Sequence, residues 1–104
     1  MRVLRDYRGV AIRLTDERLA HIREHPEMVP LQDAIGETLR IPDRVMTSVA
    51  DPDARLYYRL YRATSVGDKY LCVVVKAPDD GGFVLTAYLT DRIKRGVHLW
   101  PAIR

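Results

Sequence analysis

Apolar and polar positions alternate at Val10, Ile12 and Leu14, the period of a half-buried strand. Thr15-Asp16-Glu17-Arg18 follows. A threonine cap with acids in the first turn, where the helix macrodipole favours them, predicts a helix start. Arg18, Leu19, Ile22 and His25 then recur at helical spacing, and Pro26 steers His25 away from helical angles, so helix 1 is expected to end near His25. Pro30 suits the first turn of a second helix. Leu31, Ala34, Ile35, Thr38 and Leu39 form its stripe, and Ile41-Pro42-Asp43 stops it. Gly36 weakens that helix modestly or marks a close crossing.

The period then changes to two. Arg44 to Val49 reads as a strand, Asp51-Pro52-Asp53 as a turn, and residues 55–62 as a strand with two unlike faces. Leu56, Tyr58 and Leu60 form the apolar face, expected to pack on the helices. Arg55, Tyr57, Arg59 and Tyr61 form a ladder of guanidiniums and phenols, expected either to pair across strands or to face a ligand. Tyr70 to Lys76 is apolar on both faces and is expected at the centre of the sheet. Residues 78–82 read as a hairpin loop, Phe83 to Leu89 as a strand, and Thr90 to Gly96 as a capped helical turn. Trp100 is expected to tuck its ring against the sheet end. Residues 1–9, charged and ending at Gly9, are expected to be a loose arm. The sum is a single α+β domain over residues 1–104, with two N-terminal helices packed on one face of a four-stranded antiparallel sheet and the other face open to water or a ligand.

Composition narrows the choice of partner. The net charge is +3, with 17 Lys and Arg against 14 Asp and Glu, compatible with a nucleic-acid partner without demanding one. Cys72 stands alone, so neither an intrachain disulfide nor a thiolate metal cage is available, and a reducing, cytoplasmic setting is expected. There is no apolar run of membrane-spanning length and no signal-peptide core at the start.

Three groups of side chains carry candidate chemistry. His21 and His25 stand four apart on one helix face, but the stretch reads His-Ile-Arg-Glu-His, without the Glu that should follow the first His of a zincin, and no third ligand suggests itself. No metal or cofactor is expected. The two histidines are either surface residues or a general acid and base. Thr86 and Tyr88 share one face of their strand, opposite Leu85, Ala87 and Leu89. Were that also the Arg55/Tyr57/Arg59/Tyr61 face, hydroxyls would stand beside guanidiniums, suited to a phosphodiester. Lys76, Arg92, Lys94 and Arg95 are either solvated or touch phosphates nonspecifically. Cys72 reads as a small core residue.

The order and spacing of several pieces resemble a known family. These are Glu17-Arg18 with His21-Ile22 and His25-Pro26-Glu27-Met28, Thr38-Leu39 with Pro42-Asp43, Tyr57-Tyr58-Arg59, Lys69-Tyr70-Leu71 to Lys76, and Phe83 through Thr86-Ala87-Tyr88 to Asp91-Arg92-Ile93-Lys94 and Gly96. Over residues 8–100 the chain is similar to the phage-type nucleases of the barnase, EndoU, colicin and RelE-like fold class. The resemblance implies helices on a four-stranded antiparallel sheet whose open face holds RNA. It also implies metal-independent cleavage by a phage- or toxin-associated ribonuclease. His21, His25, Arg59, Thr86 and Tyr88 become the implied catalytic candidates, with Arg55, Tyr57, Tyr58, Lys76 and Arg92 around the substrate. The resemblance points to Tyr58 as the tyrosine of the site, whereas strand parity places Tyr57 on the Arg59 face.

Two functions follow as expectations. In the first, a histidine takes the proton of a ribose 2′-hydroxyl, which attacks the adjacent phosphorus to leave a cyclic phosphate. The other histidine or Tyr88 protonates the leaving oxygen, and Arg59, with Arg55, offsets the phosphorane charge. A cognate inhibitor protein with acidic groups would then be a natural partner. In the second, the same basic sheet face is a noncatalytic module binding RNA or protein, with salt-sensitive affinity and no product.

Overall fold

The structure, a computed structural model, describes residues 1–77 and 81–101. The charged start of the chain is no loose arm. β1 (Arg2–Arg5) pairs antiparallel with β2 (Ala11–Leu14). The turn between them is built around Asp6, whose carboxylate accepts from the backbone N–H groups of Arg8 (2.8 Å) and Val10 (3.0 Å). Gly9 provides the positive φ of +81° that closes it. β1 is an edge strand, mostly exposed, so it needs no apolar alternation and gives none to read.

α1 (Asp16–Ile22) starts as expected, with the Thr15 hydroxyl accepting from Arg18 N at 3.2 Å. It stops at Ile22 rather than near His25. A 3₁₀ turn (Pro26–Leu31) contains Pro30, and α2 (Gln32–Arg40) follows it. Pro26 fits the first position of the 3₁₀ turn, where an N–H has no intrahelical partner to lose, while Pro30 sits inside the turn and gives up a donor there. β3 (Arg44–Thr47), β4 (Ala54–Thr64), β5 (Gly67–Lys76), β6 (Phe83–Thr90) and β7 (His98–Trp100) complete the chain. Of the 78–82 loop, residues 78–80 lie outside the described residues. Thr90 to Gly96, read as a capped helical turn, forms none: Thr90 ends β6, and residues 91–97 are neither helix nor strand. The Trp100 ring does tuck in, 5.0 Å from that of Tyr7.

The four-stranded antiparallel sheet is therefore corrected to one seven-stranded mixed sheet, ordered β1-β2-β6-β5-β4-β3-β7. Every neighbouring pair runs antiparallel except β2 and β6, which are parallel and meet where Arg13 stands opposite Phe83. The N-terminal hairpin extends the sheet beyond β6, and β7 extends it beyond β3. β5, the continuous apolar run, is the middle strand, buried from Leu71 to Val75. Among the described residues no helix is long and apolar enough to cross a membrane.

Both helices cover one face. Ile22, Met28, Ile35 and Leu39 pack there on Ile12, Leu14, Val45, Leu71, Val73, Val75 and Val84. Full burial of each such aliphatic side chain contributes about 1.5–3 kcal/mol. The two-faced reading of β4 has the right alternation and the wrong sides. It is Tyr57, Arg59 and Tyr61 that meet the helical layer, while Leu56 and Tyr58 belong to the opposite face. Partners supplied from afar explain the inversion. The Tyr57 hydroxyl, fully buried, donates to Asp6 at 2.9 Å, and the Arg8 guanidinium holds the same carboxylate at 3.0 Å. Burial, with the Asp6 charge beside it, pushes the Tyr57 phenol well above its ordinary pKa.

Arg59 is likewise committed to the fold. Its Nε donates to Glu37 at 3.2 Å and its Nη1 to the Ile41 carbonyl at 2.8 Å. The Tyr61 hydroxyl donates to Glu37 at 2.7 Å, and burial raises that phenol to about 12. The Tyr61 hydrogen bond, then Arg59, hold the Glu37 carboxyl below its usual value of 4.5. Because the folded pKa is depressed, this contact stabilises the protein above about pH 4.5 and is lost as pH falls through the folded value. Glu37→Gln is therefore expected to flatten the acid limb of a stability-versus-pH curve taken from urea midpoints, with little change in the limb above pH 7. An unchanged acid limb would show that the contact carries no linkage.

Candidate functional site

The face of the sheet away from the helices has its own smaller core of Met46, Ala54, Leu56, Tyr58, Cys72 and Val74, with Leu85, Tyr88 and Ile93 packed against it. A bulge brings β6 into it. Val74 pairs with Thr86 while Val75 pairs with Val84, so Leu85 is an extra residue and joins the Thr86 and Tyr88 side rather than opposing it.

Residues 91–97 cross this face as an arm. Its backbone is tied at two places. Lys94 N–H donates to the Tyr58 hydroxyl at 3.0 Å. Val97 N–H donates to the Thr47 hydroxyl at 3.0 Å, and Thr47 N–H returns a bond to the Val97 carbonyl at 2.9 Å. Gly96 permits the approach, since a Cβ there would stand 2.1 Å from the Thr47 carbonyl oxygen. Gly96→Ala must move the arm or β3, and is expected to cost about 1–3 kcal/mol, as overpacking does. A urea midpoint equal to that of the parent chain would refute the close approach.

Between the arm, the 48–50 loop and the strands lies a cleft of about 510 Å³. Leu56 and Val74 line it from the central strands, Val49 and Ala50 from the loop, and Thr86 and Tyr88 from β6. Lys94 and Arg95, both exposed, line it from the arm. The Lys94 ammonium lies 5.5 Å from the centroid of the Tyr88 ring, within cation–π reach. Burial, with the Cys72 thiol beside it, raises the Tyr88 phenol, so it stays protonated through the neutral range. Burial raises Tyr58 and Cys72 as well. Tyr58 is fully enclosed and acts on the cleft through Lys94, whose backbone it anchors.

The sequence-derived candidates divide into three places. Thr86 and Tyr88 meet in the cleft, with Tyr58 beneath its arm. Tyr57 and Arg59 are on the other side of the sheet, turned to the helices, and Arg55 shares their parity by its register with Val75. His21 and His25 are in the helical layer, largely exposed, facing Glu24 at 3.4 Å and Glu27 at 3.9 Å. Lys76 is bonded to Asp51 at the end of β5, and Arg92 is exposed on the arm. Tyr57 and Arg59 thus share a face, as strand parity expects, while Tyr58 lies on the face that holds Tyr88. Hydroxyls and Arg59 do not share a face. Sequence reasoning passed over Leu56, Val74 and the 48–50 loop as cleft walls. The signal for the arm was present, as two cations directly before a glycine.

Among the described residues no three His, Cys, Asp or Glu side chains converge as a metal site would require. Compared with known proteins, the chain matches no family model, no curated protein and no solved structure.

Proposed function

We propose that this protein is an RNA-directed, metal-independent ribonuclease whose site is the cleft of the uncovered sheet face. One observation carries the reading. A protonated phenol, a hydroxyl and two cations, Tyr88, Thr86, Lys94 and Arg95, converge on an apolar floor that neither helix covers. Two adjacent cations suit a phosphodiester, and preorganised positive charge is commonly the largest contribution to catalysis of this kind.

The chemistry is intramolecular. The ribose 2′-oxygen bonds to the adjacent phosphorus and the bond to the 5′-oxygen breaks, leaving a cyclic phosphate and a free 5′-hydroxyl. Lys94 and Arg95 offset the charge of the phosphorane, and Tyr88 gives its proton to the departing oxygen. Lys94, beside the ring, offsets the phenolate charge until a solvent water returns the proton to Tyr88. Among the described residues no imidazole or carboxylate lines the cleft, so the proposed mechanism has hydroxide from solvent take the 2′-proton. The rate is thus expected to climb steadily over roughly pH 6 to 9, without the bell that a histidine pair gives. Cleavage of a mixed RNA pool in excess EDTA, followed across that range, tests this. A bell centred near neutrality, abolished in His21→Ala, would return the chemistry to the helical layer.

The placement of both histidines outside the cleft favours a second reading, a binding module that holds RNA there without cutting it. Salt-sensitive retention of intact RNA at every pH would support the module over the nuclease.

A further inference from the structure

The cleft's lining is mostly apolar, more than a phosphate site requires. Leu56 and Val74 line the cleft from the central strands, Val49 and Ala50 from the loop and the Tyr88 ring from β6, while both its cations, Lys94 and Arg95, come from the arm. Val49, 77% exposed, adds an open apolar rim to that lining. Phosphate contacts alone would call for a polar trough along the backbone, as nonspecific binders have. The volume, about 510 Å³, falls within the span of small-molecule pockets, roughly 300–1,000 Å³, and suits one nucleotide rather than the side of a duplex. Ser48 and Thr86 place hydroxyls on the same lining, able to donate to or accept from a base edge.

Resting on the RNA reading above, we propose that the cleft takes a single unstacked nucleobase, its phosphate held by Lys94 and Arg95, so that the protein acts on single-stranded RNA and excludes duplex. The base would lie on Leu56 and Val74 with the Tyr88 ring beside it. A paired base cannot enter without leaving its stack, which costs a few kcal/mol. Single strands display their faces freely.

The test is equilibrium binding of three probes to the full chain, each with 2′-O-methyl riboses that cannot be cut. They are a short mixed-sequence single strand, that strand annealed to its complement, and the same strand with abasic sites at alternate positions. The single strand is expected to bind at least about tenfold tighter than either of the others at physiological salt. Equal affinity for all three would overturn the base pocket and leave a charge-driven RNA protein standing. The abasic strand binding as well as the intact one, with duplex weaker, would also overturn it, since flexibility alone would then explain the preference. No binding of any probe would overturn both this proposal and the RNA reading beneath it.

Discussion

Reversing the two charges of the cleft, Lys94→Glu with Arg95→Glu, is expected to lower RNA cleavage by about 10²–10³-fold while leaving the fold intact. The size follows from what the cations do. They face charge that exists chiefly in the phosphorane, so their loss raises the barrier more than it weakens the ground state. Binding should also suffer. Each lost phosphate contact with a single strand lowers the slope of log K against log salt by about 0.7, so the parent and the variant should differ by about 1.4. Stability should barely change. Both side chains are exposed, and the bond that fixes the arm at Lys94 comes from its backbone N–H to Tyr58, which the substitution keeps. Parent and variant would be compared for cleavage in EDTA, for the salt dependence of binding, and for the urea midpoint. Full cleavage by the variant would remove the cleft from the chemistry. Arg59→Ala is the natural comparison. It should lower stability, because it unties α2 from β4, and should leave the salt slope unaltered.

The largest effect on stability is expected at Asp6. Asp6→Ala removes a carboxylate that accepts at once from Arg8 N, Val10 N, the Arg8 guanidinium and the Tyr57 hydroxyl. The carboxylate is 3% exposed and Tyr57 fully buried, so the phenol hydroxyl is left without a partner away from water. Leaving a buried polar group unsatisfied costs about 1–3 kcal/mol, and the lost turn bonds add to it, a large share of the roughly 5–15 kcal/mol that holds an average domain together. Asp6→Asn, which keeps an acceptor for the two turn N–H groups, should recover part of the loss. Arg8→Ala should cost less than Asp6→Ala, since its side chain is partly exposed and the backbone bonds of the turn survive. Urea midpoints of the three variants order these effects. A midpoint for Asp6→Ala within experimental error of the parent would show that the cluster contributes nothing net.

Asp6 also marks the boundary of what the chain displays in one dimension. The apolar run of β5 was legible, because a strand buried on both sides has no polar face to confuse it. The cap at Thr15 was legible, because a cap is satisfied within its own first turn. The alternation of β4 was legible too, yet its orientation was not. A phenol and a guanidinium look like surface until their partners are known, and those partners, Asp6 and Glu37, lie in other elements. Strand β1 escaped for the converse reason, since an edge strand can be charged throughout. The bulge at Leu85 leaves the sequence pattern untouched and moves one side chain across the sheet. In the cleft, Thr86 and Tyr88 could be read from parity. The floor and the loop wall could not, because ordinary core residues form them.

The one parallel seam, where β2 meets β6, bears on the order of assembly. β4, β5 and β6 follow one another as antiparallel neighbours, so their contacts close short stretches of chain. The seam joins Arg13 to Phe83, most of the chain away, and closing a longer loop costs more entropy before any contact repays it. The three-strand meander should therefore condense first, with the N-terminal hairpin docking after the rate-limiting barrier. Substitutions in the hairpin would then hasten unfolding and leave the refolding rate almost unaltered. Its amides should exchange with solvent through partial openings that spare β5, so the outermost strands would detach and rejoin many times in the lifetime of one folded molecule.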